Sequence, residues 1–402
     1  MIPDATDESV RQATLLDPGP APPGADDDAA RARTEQEHGA IAQPPATLGY
    51  RPALDGLRAL AIAAVVAVHA TYSLVPEWAG RFVPGGFLGV DVFFVLSGFL
   101  ITTLLLEERR KYGTISLRRF YARRALRLLP AVGALLVVHG LVAVVTHADL
   151  GLESRTAAAV GLYALNWVEA ARGSVAVGLA HLWSLSVEEQ FYFVWPLFLI
   201  FALSRRRPNR LVLAVAAAGI AWATAVRALL WIHGAGWDAI YVRTDARVDE
   251  LLMGVILAVA FHRGWRLPHR WRHLGSAGLA VLLICFAVVR RESSWLFVGG
   301  GFTVVGLGAV VLIAAVLNAD GLLARAFSWR PAVHLGRASY SLYLWHVPIF
   351  IVVANHLGGR PAVERLVAGL VGCAVATLAS YHLVEAPVAR WRRGLVASRR
   401  AG

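Results

Sequence analysis

The chain has 402 residues, of which 57% are hydrophobic and 16% charged, and its mean hydropathy is +0.56. That composition excludes a soluble domain, because long apolar runs recur from Leu57 almost to the C-terminus, and it indicates an all-α polytopic membrane protein. The net charge of +12 conceals nine acids and three arginines in residues 1–40, so this stretch is near −6 and the remainder near +18, nearly all of it arginine in short loops. Charge placed in that way reads as membrane topology and not as a nucleic-acid surface.

Residues 1–48 lack apolar periodicity and are expected to form a disordered, acidic cytoplasmic tail with no catalytic role. No cleaved signal peptide is expected, since the first apolar run begins some fifty residues in. Residues 49–391 form the transmembrane domain and 392–402 a basic cytoplasmic tail. Hydropathy predicts about ten spans, near 56–75, 86–106, 128–146, 183–203, 211–232, 248–262, 274–290, 296–317, 337–356 and 364–384. Arginine clusters follow every second span, which by the positive-inside rule makes both termini cytoplasmic. Residues 150–182 are too short and too mixed to span, and they read as an outer-face or re-entrant element. Cys285 and Cys373 both lie in apolar runs and read as small buried hydrophobes.

The first span carries Arg58 and His69, eleven residues apart with almost nothing polar between them. At about 100° per residue both project from one helical face, and at about 1.5 Å per residue they are separated by roughly 16 Å along the axis. His69 then lies about halfway across a bilayer, a costly place for a titratable group that has no task.

In the second span, Asp91 and Ser97 sit among Gly86, Gly89 and Gly98, which allow close helix approach; a packing seam and a ligand-binding acid are both open readings of Asp91. Before the third span, Arg118, Arg119, Arg123, Arg124 and Arg127 exceed what topology demands, and guanidinium forks match phosphate oxygens. At the fourth span, spacings of three, four and four align His181, Ser184, Glu188 and Tyr192 on one face. In the ninth, Ser339, Tyr343 and His346 share a face beside the helix-kinking Pro348, with His346 again near mid-depth, so that His69 and His346 are expected to meet in one cavity. The segment TDARVDELLMG puts Arg243, Asp245, Arg247 and Asp249 at the outer mouth of the sixth span, where an ion-pair cluster and a substrate site are both open readings.

Six segments in order, RPALDGLRALAIAAVVAVH, GFLGVDVFFVLSGFLIT, FYARRALRLLP, HLWSLSVEEQFYFVWP, TDARVDELLMG and SYSLYLWHVPI, resemble the membrane-bound acyltransferase family 3 over roughly Tyr50 to Trp391. The family's arginine-ten-histidine signature falls on Arg58 and His69, and its cytoplasmic arginine motif falls on Arg124 and Arg127. The resemblance implies a multi-pass enzyme of the bacterial cytoplasmic membrane, in a stand-alone form. Its donor would be acyl-CoA, with acetyl-CoA the expected case, and its acceptor a hydroxyl of a sugar, glycan or macrolide, with no metal.

On this reading His69 is the base that takes up the hydroxyl proton or, alternatively, the covalent acyl carrier. Glu188, Tyr192 and His346 complete the catalytic candidates. Arg58, Arg123, Arg124 and Arg127 would hold the phosphates of the donor, and Asp91, Asp245 and Arg247 would hold the acceptor. A transporter or flippase for an anionic or sugar-bearing substrate would also bury Arg, His and Glu, and it stands as the alternative. The chain shows no evident symmetry between halves of the kind many secondary transporters carry.

Overall fold

The computed structural model describes residues 47–75, 83–171, 173–318, 321–388 and 390. The expected acidic tail, apart from its last two residues, and the expected basic tail lie outside the described residues. Among the described residues there is no strand, and ten helices of 16 residues or more carry the fold. They are α1 (Pro52–Leu74), α2 (Gly89–Tyr112), α3 (Leu117–Val145), α4 (Trp183–Leu203), α5 (Pro208–Ile232), α6 (Thr244–His262), α7 (His273–Val288), α8 (Gly301–Val316), α9 (Arg330–Leu357) and α10 (Ala362–Ser380).

Eight helical segments of the described residues are long and apolar enough to cross a membrane. The expected sixth and eighth spans are the exceptions. Helix α6 begins four residues before its expected start and takes in Asp245, Arg247, Asp249 and Glu250. Helix α8 has only 16 residues, because Gly299 and Gly300 separate it from the short helix Ser294–Val298, and Gly300 takes the left-handed φ of 74° that favours glycine.

The third helix departs from expectation in a way that matters for the site. It starts at Leu117, where the Ser116 hydroxyl accepts the Arg119 backbone N–H at 3.4 Å. The five arginines therefore ride on the first turns of α3 instead of on a loop before it. Residues 150–182 form three short helices, Leu150–Gly161, Leu165–Ala170 and Val177–Ala180. Their Val160, Leu165 and Leu179 pack on Ala131 and Leu135 of α3 and Leu344 of α9, so this stretch is a cap held to the bundle by apolar contact.

Small residues set the two closest helix pairs. A methyl group at Gly98 of α2 would overlap the Leu251 carbonyl of α6, and one at Gly254 of α6 would overlap the Val95 carbonyl of α2. Likewise a methyl at Gly336 of α9 would overlap the Asp55 carbonyl of α1. Apolar side chains gain little by leaving lipid for protein, so such backbone-to-backbone approach, with its dense van der Waals contact, is what binds helices in a bilayer. One pair, α1 with α9, builds the site; the other, α2 with α6, builds an ionic core.

Candidate functional site

Two cavities lie along α1. The first, of about 350 Å³, surrounds the early turns of α1 and is bordered by Arg58, Ser97, Arg124, Arg127, Glu188 and Tyr192. The second, of about 490 Å³, surrounds the last turns of α1 and is bordered by His69, His181, Trp183, Trp237, Tyr241 and Glu169. The eleven-residue spacing thus delivers Arg58 to one cavity and His69 to the other.

In the first cavity, Arg58 donates from Nε and Nη2 to the Ser339 hydroxyl at 3.2 and 3.0 Å. Arg124 pairs with Glu189 at 2.6 Å and lies 3.5 Å from the centre of the Tyr192 ring. Glu188 accepts from the Ser97 hydroxyl at 2.7 Å. Arg58 and Arg127 have no carboxylate within salt-bridge distance among the described residues, although the carboxylates of Asp55 and Glu188 stand on the same cavity wall. Guanidiniums that face a recess without a direct ion pair suit an anion. Arg123 is not among them. It faces a separate shallow cavity, paired with Glu108 at 3.0 Å and half exposed.

Two imidazoles, His69 and His181, face the second cavity, and a third, His346, touches both from behind its wall. The rings of His69 and His346 stand edge to face with centroids 5.0 Å apart, and those of His181 and His346 with centroids 5.1 Å apart. The His69 Nδ1 lies 2.8 Å from the Val65 carbonyl oxygen. A carbonyl only accepts, so Nδ1 carries the proton and the Nε2 lone pair of the neutral ring is left for chemistry. His346 is held in the same way, Nδ1 to the Tyr343 carbonyl at 2.7 Å, but it is fully buried behind His69 and borders neither cavity. It buttresses the His69 ring.

The mouth of the second cavity is aromatic and acidic. Trp237 stacks on Tyr241 with centroids 4.0 Å apart, and Arg291 lies 4.2 Å from the Trp237 ring while pairing with Asp238 at 2.7 Å. Glu169, on the short helix Leu165–Ala170, lies outside the spanning helices; burial, reinforced by the negative charge of Asp238, pushes its carboxyl up to about 8.

The structure places the remaining expected residues elsewhere. Arg247 is fully buried, bonded to Asp91 at 2.8 Å with Glu250 at 3.8 Å, and Arg227 grips Asp249 through both carboxylate oxygens at 2.8 and 2.7 Å. Neither Asp91 nor Arg247 borders either cavity. The glycine contact between α2 and α6 brings these side chains face to face and closes them off, which favours the ion-pair reading of both. Arg247 does lie 4.7 Å from the Tyr241 ring, one layer behind the cavity wall. Asp245 pairs with Arg243 at 2.6 Å, part exposed, and also stays outside both cavities.

Several lining residues escaped sequence reasoning. His181 does not share the expected helical face with Ser184 and Glu188, because α4 begins only at Trp183, and it faces the second cavity while Ser184 faces the first. Glu169, Asp238 and Arg291 come from short helices and turns whose sequence has no period to read.

Comparison with known proteins bears on this geometry. The model of a family described as "Acyltransferase domain" matches residues 51–385. The chain is 33% identical over 357 residues to the O-acetyltransferase OatA of Staphylococcus aureus, covering 84% of this chain and 57% of that protein. It is 33% identical over 356 residues to the peptidoglycan O-acetyltransferase OatA of Listeria monocytogenes, covering 84% of this chain and 56% of that protein. The chain therefore spans little more than half the length of these curated relatives. No solved structure matches it.

Proposed function

The chain belongs to the acyltransferase family, matched from residue 51 to residue 385, and from that premise we propose that it is a membrane O-acyltransferase moving an acyl group, expected to be acetyl, from cytoplasmic acyl-CoA to a hydroxyl of a sugar, glycan or macrolide. The observation that carries this reading is the division of labour along α1: guanidiniums without a direct ion pair, Arg58 and Arg127, in one cavity, and an imidazole with a free Nε2 in the other.

The residues suit such a donor. Arg58 and Arg127, with Arg124 alongside, offer fork-shaped donors to phosphate oxygens at the end of the bundle assigned to the cytosol. Bound there, acyl-CoA would supply a thioester whose carbonyl carbon is open to attack. His69 Nε2 takes the proton of the acceptor hydroxyl as the new C–O bond forms and the C–S bond breaks, and it passes that proton to the departing sulfur. His346 holds the His69 ring in place through edge-to-face contact. In the alternative route, His69 Nε2 itself attacks the thioester carbon, the C–S bond breaking to release the thiolate, and the hydroxyl then takes the acyl group as the C–N bond breaks, its proton passing to the thiolate. The acceptor enters the second cavity, where Trp183, Trp237 and Tyr241 form an apolar aromatic wall and Glu169 and Asp238 offer hydrogen-bond acceptors or donors.

The test is mass spectrometry of membranes bearing the chain, incubated with isotopically labelled acetyl-CoA and extracts of bacterial glycans and macrolides. A labelled ester formed by the native chain and absent with His69→Ala is the expected result. Substrate flux across the membrane without acyl turnover would instead establish the transporter reading.

A further inference from the structure

The two cavities approach each other without merging. Among the residues that line them, only Val90 and Tyr343 border both. The Tyr343 phenol is pinned where it stands: it donates its hydrogen to the His181 backbone carbonyl and accepts from the Ser184 hydroxyl at 2.7 Å. Its ring is also wedged against two imidazoles, with centroids 5.3 Å from His181 and 5.6 Å from His346. Ser184 faces the cavity of the guanidiniums and His181 the cavity of His69, so the phenol is fastened to one residue on each side of the boundary.

This position has a consequence. Arg58 and His69 border different cavities, so what the arginines hold reaches His69 most directly between Val90 and Tyr343, the two residues that both cavities share. The same gap is where water and acceptor in the outer cavity would otherwise gain the donor cavity. We propose that Tyr343 is the partition between the donor and acceptor cavities, a positioning residue whose ring blocks the passage and whose hydroxyl latches it to Ser184 and the His181 carbonyl. The names of the two cavities rest on the function proposed above; the partition itself rests on geometry alone.

The passage also has a soft side. Tyr343 lies five residues before Pro348, inside α9, and proline lacks the N–H that would bind the Leu344 carbonyl. The helix segment that carries the partition thus has one backbone bond fewer than its neighbours, which eases displacement of the ring.

The experiment is thiol accessibility in oriented vesicles. The full chain carries Leu100→Cys as a reporter in the donor cavity, with Cys285 and Cys373 replaced by alanine, and the probe is a membrane-impermeant cationic methanethiosulfonate. With Tyr343 present, the reporter is expected to react from the arginine side and to resist the probe from the opposite side. Tyr343→Ala should raise the opposite-side rate at least tenfold while leaving the arginine-side rate unchanged. Tyr343→Phe, which keeps the ring and loses the latch, should raise it only a few-fold.

Equal opposite-side rates with and without the tyrosine ring would overturn the proposal, as would continued protection in a Tyr343→Ala protein that still labels from the arginine side. Should Tyr343→Ala fail to fold, Val90→Ala widens the same gap from its other wall, and protection retained there would overturn it equally. Because no acyl donor is needed for the readout, failure of the partition and failure of the acyltransferase reading remain distinguishable.

Discussion

At the junction of α2, α5 and α6, Asp91, Arg227, Arg247, Asp249 and Glu250 are at most 1% exposed and meet one another, whereas Arg58, Arg127 and His69 border open cavities along α1. Residue types and apolar surroundings are much alike in the two regions; partners are not. In the ionic core each guanidinium has its carboxylate, and backbone contact at Gly98 and Gly254 leaves no room for a ligand. Around α1 the guanidiniums of Arg58 and Arg127 form no direct ion pair and border a cavity that they share with the Asp55 and Glu188 carboxylates. A charge inside the membrane thus marks a site only where packing leaves it unpaired beside a cavity; elsewhere it is a pin between helices.

The comparison can be broken at either end. Replacing His69 by alanine should lower acyl transfer by about 10²- to 10⁴-fold, measured as label incorporated from acetyl-CoA, with little change in the yield of folded protein. Unchanged transfer would remove the site from α1. Asp249→Ala should do the reverse: it strands Arg227 in the core at a cost of about 3–5 kcal/mol, seen as loss of detergent-stable protein in thermal unfolding. A stable Asp249→Ala protein with lost activity would mean that the ionic core takes part in catalysis.

Smaller effects sharpen the contrast. Arg127→Ala should raise the KM for the acyl donor about tenfold, the worth of one charge-assisted hydrogen bond to a phosphate, while Arg123→Ala should stay within about twofold. Steady-state kinetics on the two variants reads this directly, and equal effects would show that the arginines act only as diffuse surface charge. The smallest effect lies at the mouth of the second cavity. Glu169 keeps its proton to about pH 8 when folded, through burial and then the charge of Asp238, against an ordinary value of 4.5. The folded state therefore binds a proton that the unfolded chain has released between those values, so stability falls as pH rises through that window and levels off above it. Glu169→Gln should flatten that slope in detergent melts taken from roughly pH 5 to pH 9.

How much of this was legible depends on how local each feature is. The fourth span, expected at 183–203, coincides with α4 from Trp183 to Leu203, whereas the cavity expected to hold both His69 and His346 is bordered by His69 and not by His346, whose ring touches His69 from behind. The first follows from run length alone, and the second depends on how α1 and α9 pack. The expected substrate residues Asp91, Arg247 and Asp245 turned away from the cavities because α6 starts early and lies against α2, an outcome that no period in TDARVDELLMG encodes. Arg123 left the expected donor set for a similar reason: once α3 begins at Leu117, its face turns toward Glu108 while Arg124 and Arg127 turn inward.

What the amino-acid order determined by itself is the solvent and the ruler: apolar runs long enough for a bilayer, and an eleven-residue interval that sets Arg58 and His69 on one face of one helix. Which charges would be silenced and which left open was decided only when the helices packed. Asp91 and Arg247 are 156 positions apart in the chain, and Ser184 and Tyr343 are 159. Hydropathy and helical period are properties of neighbouring residues, whereas the pairing of a buried charge depends on which distant backbone comes close enough to supply its partner.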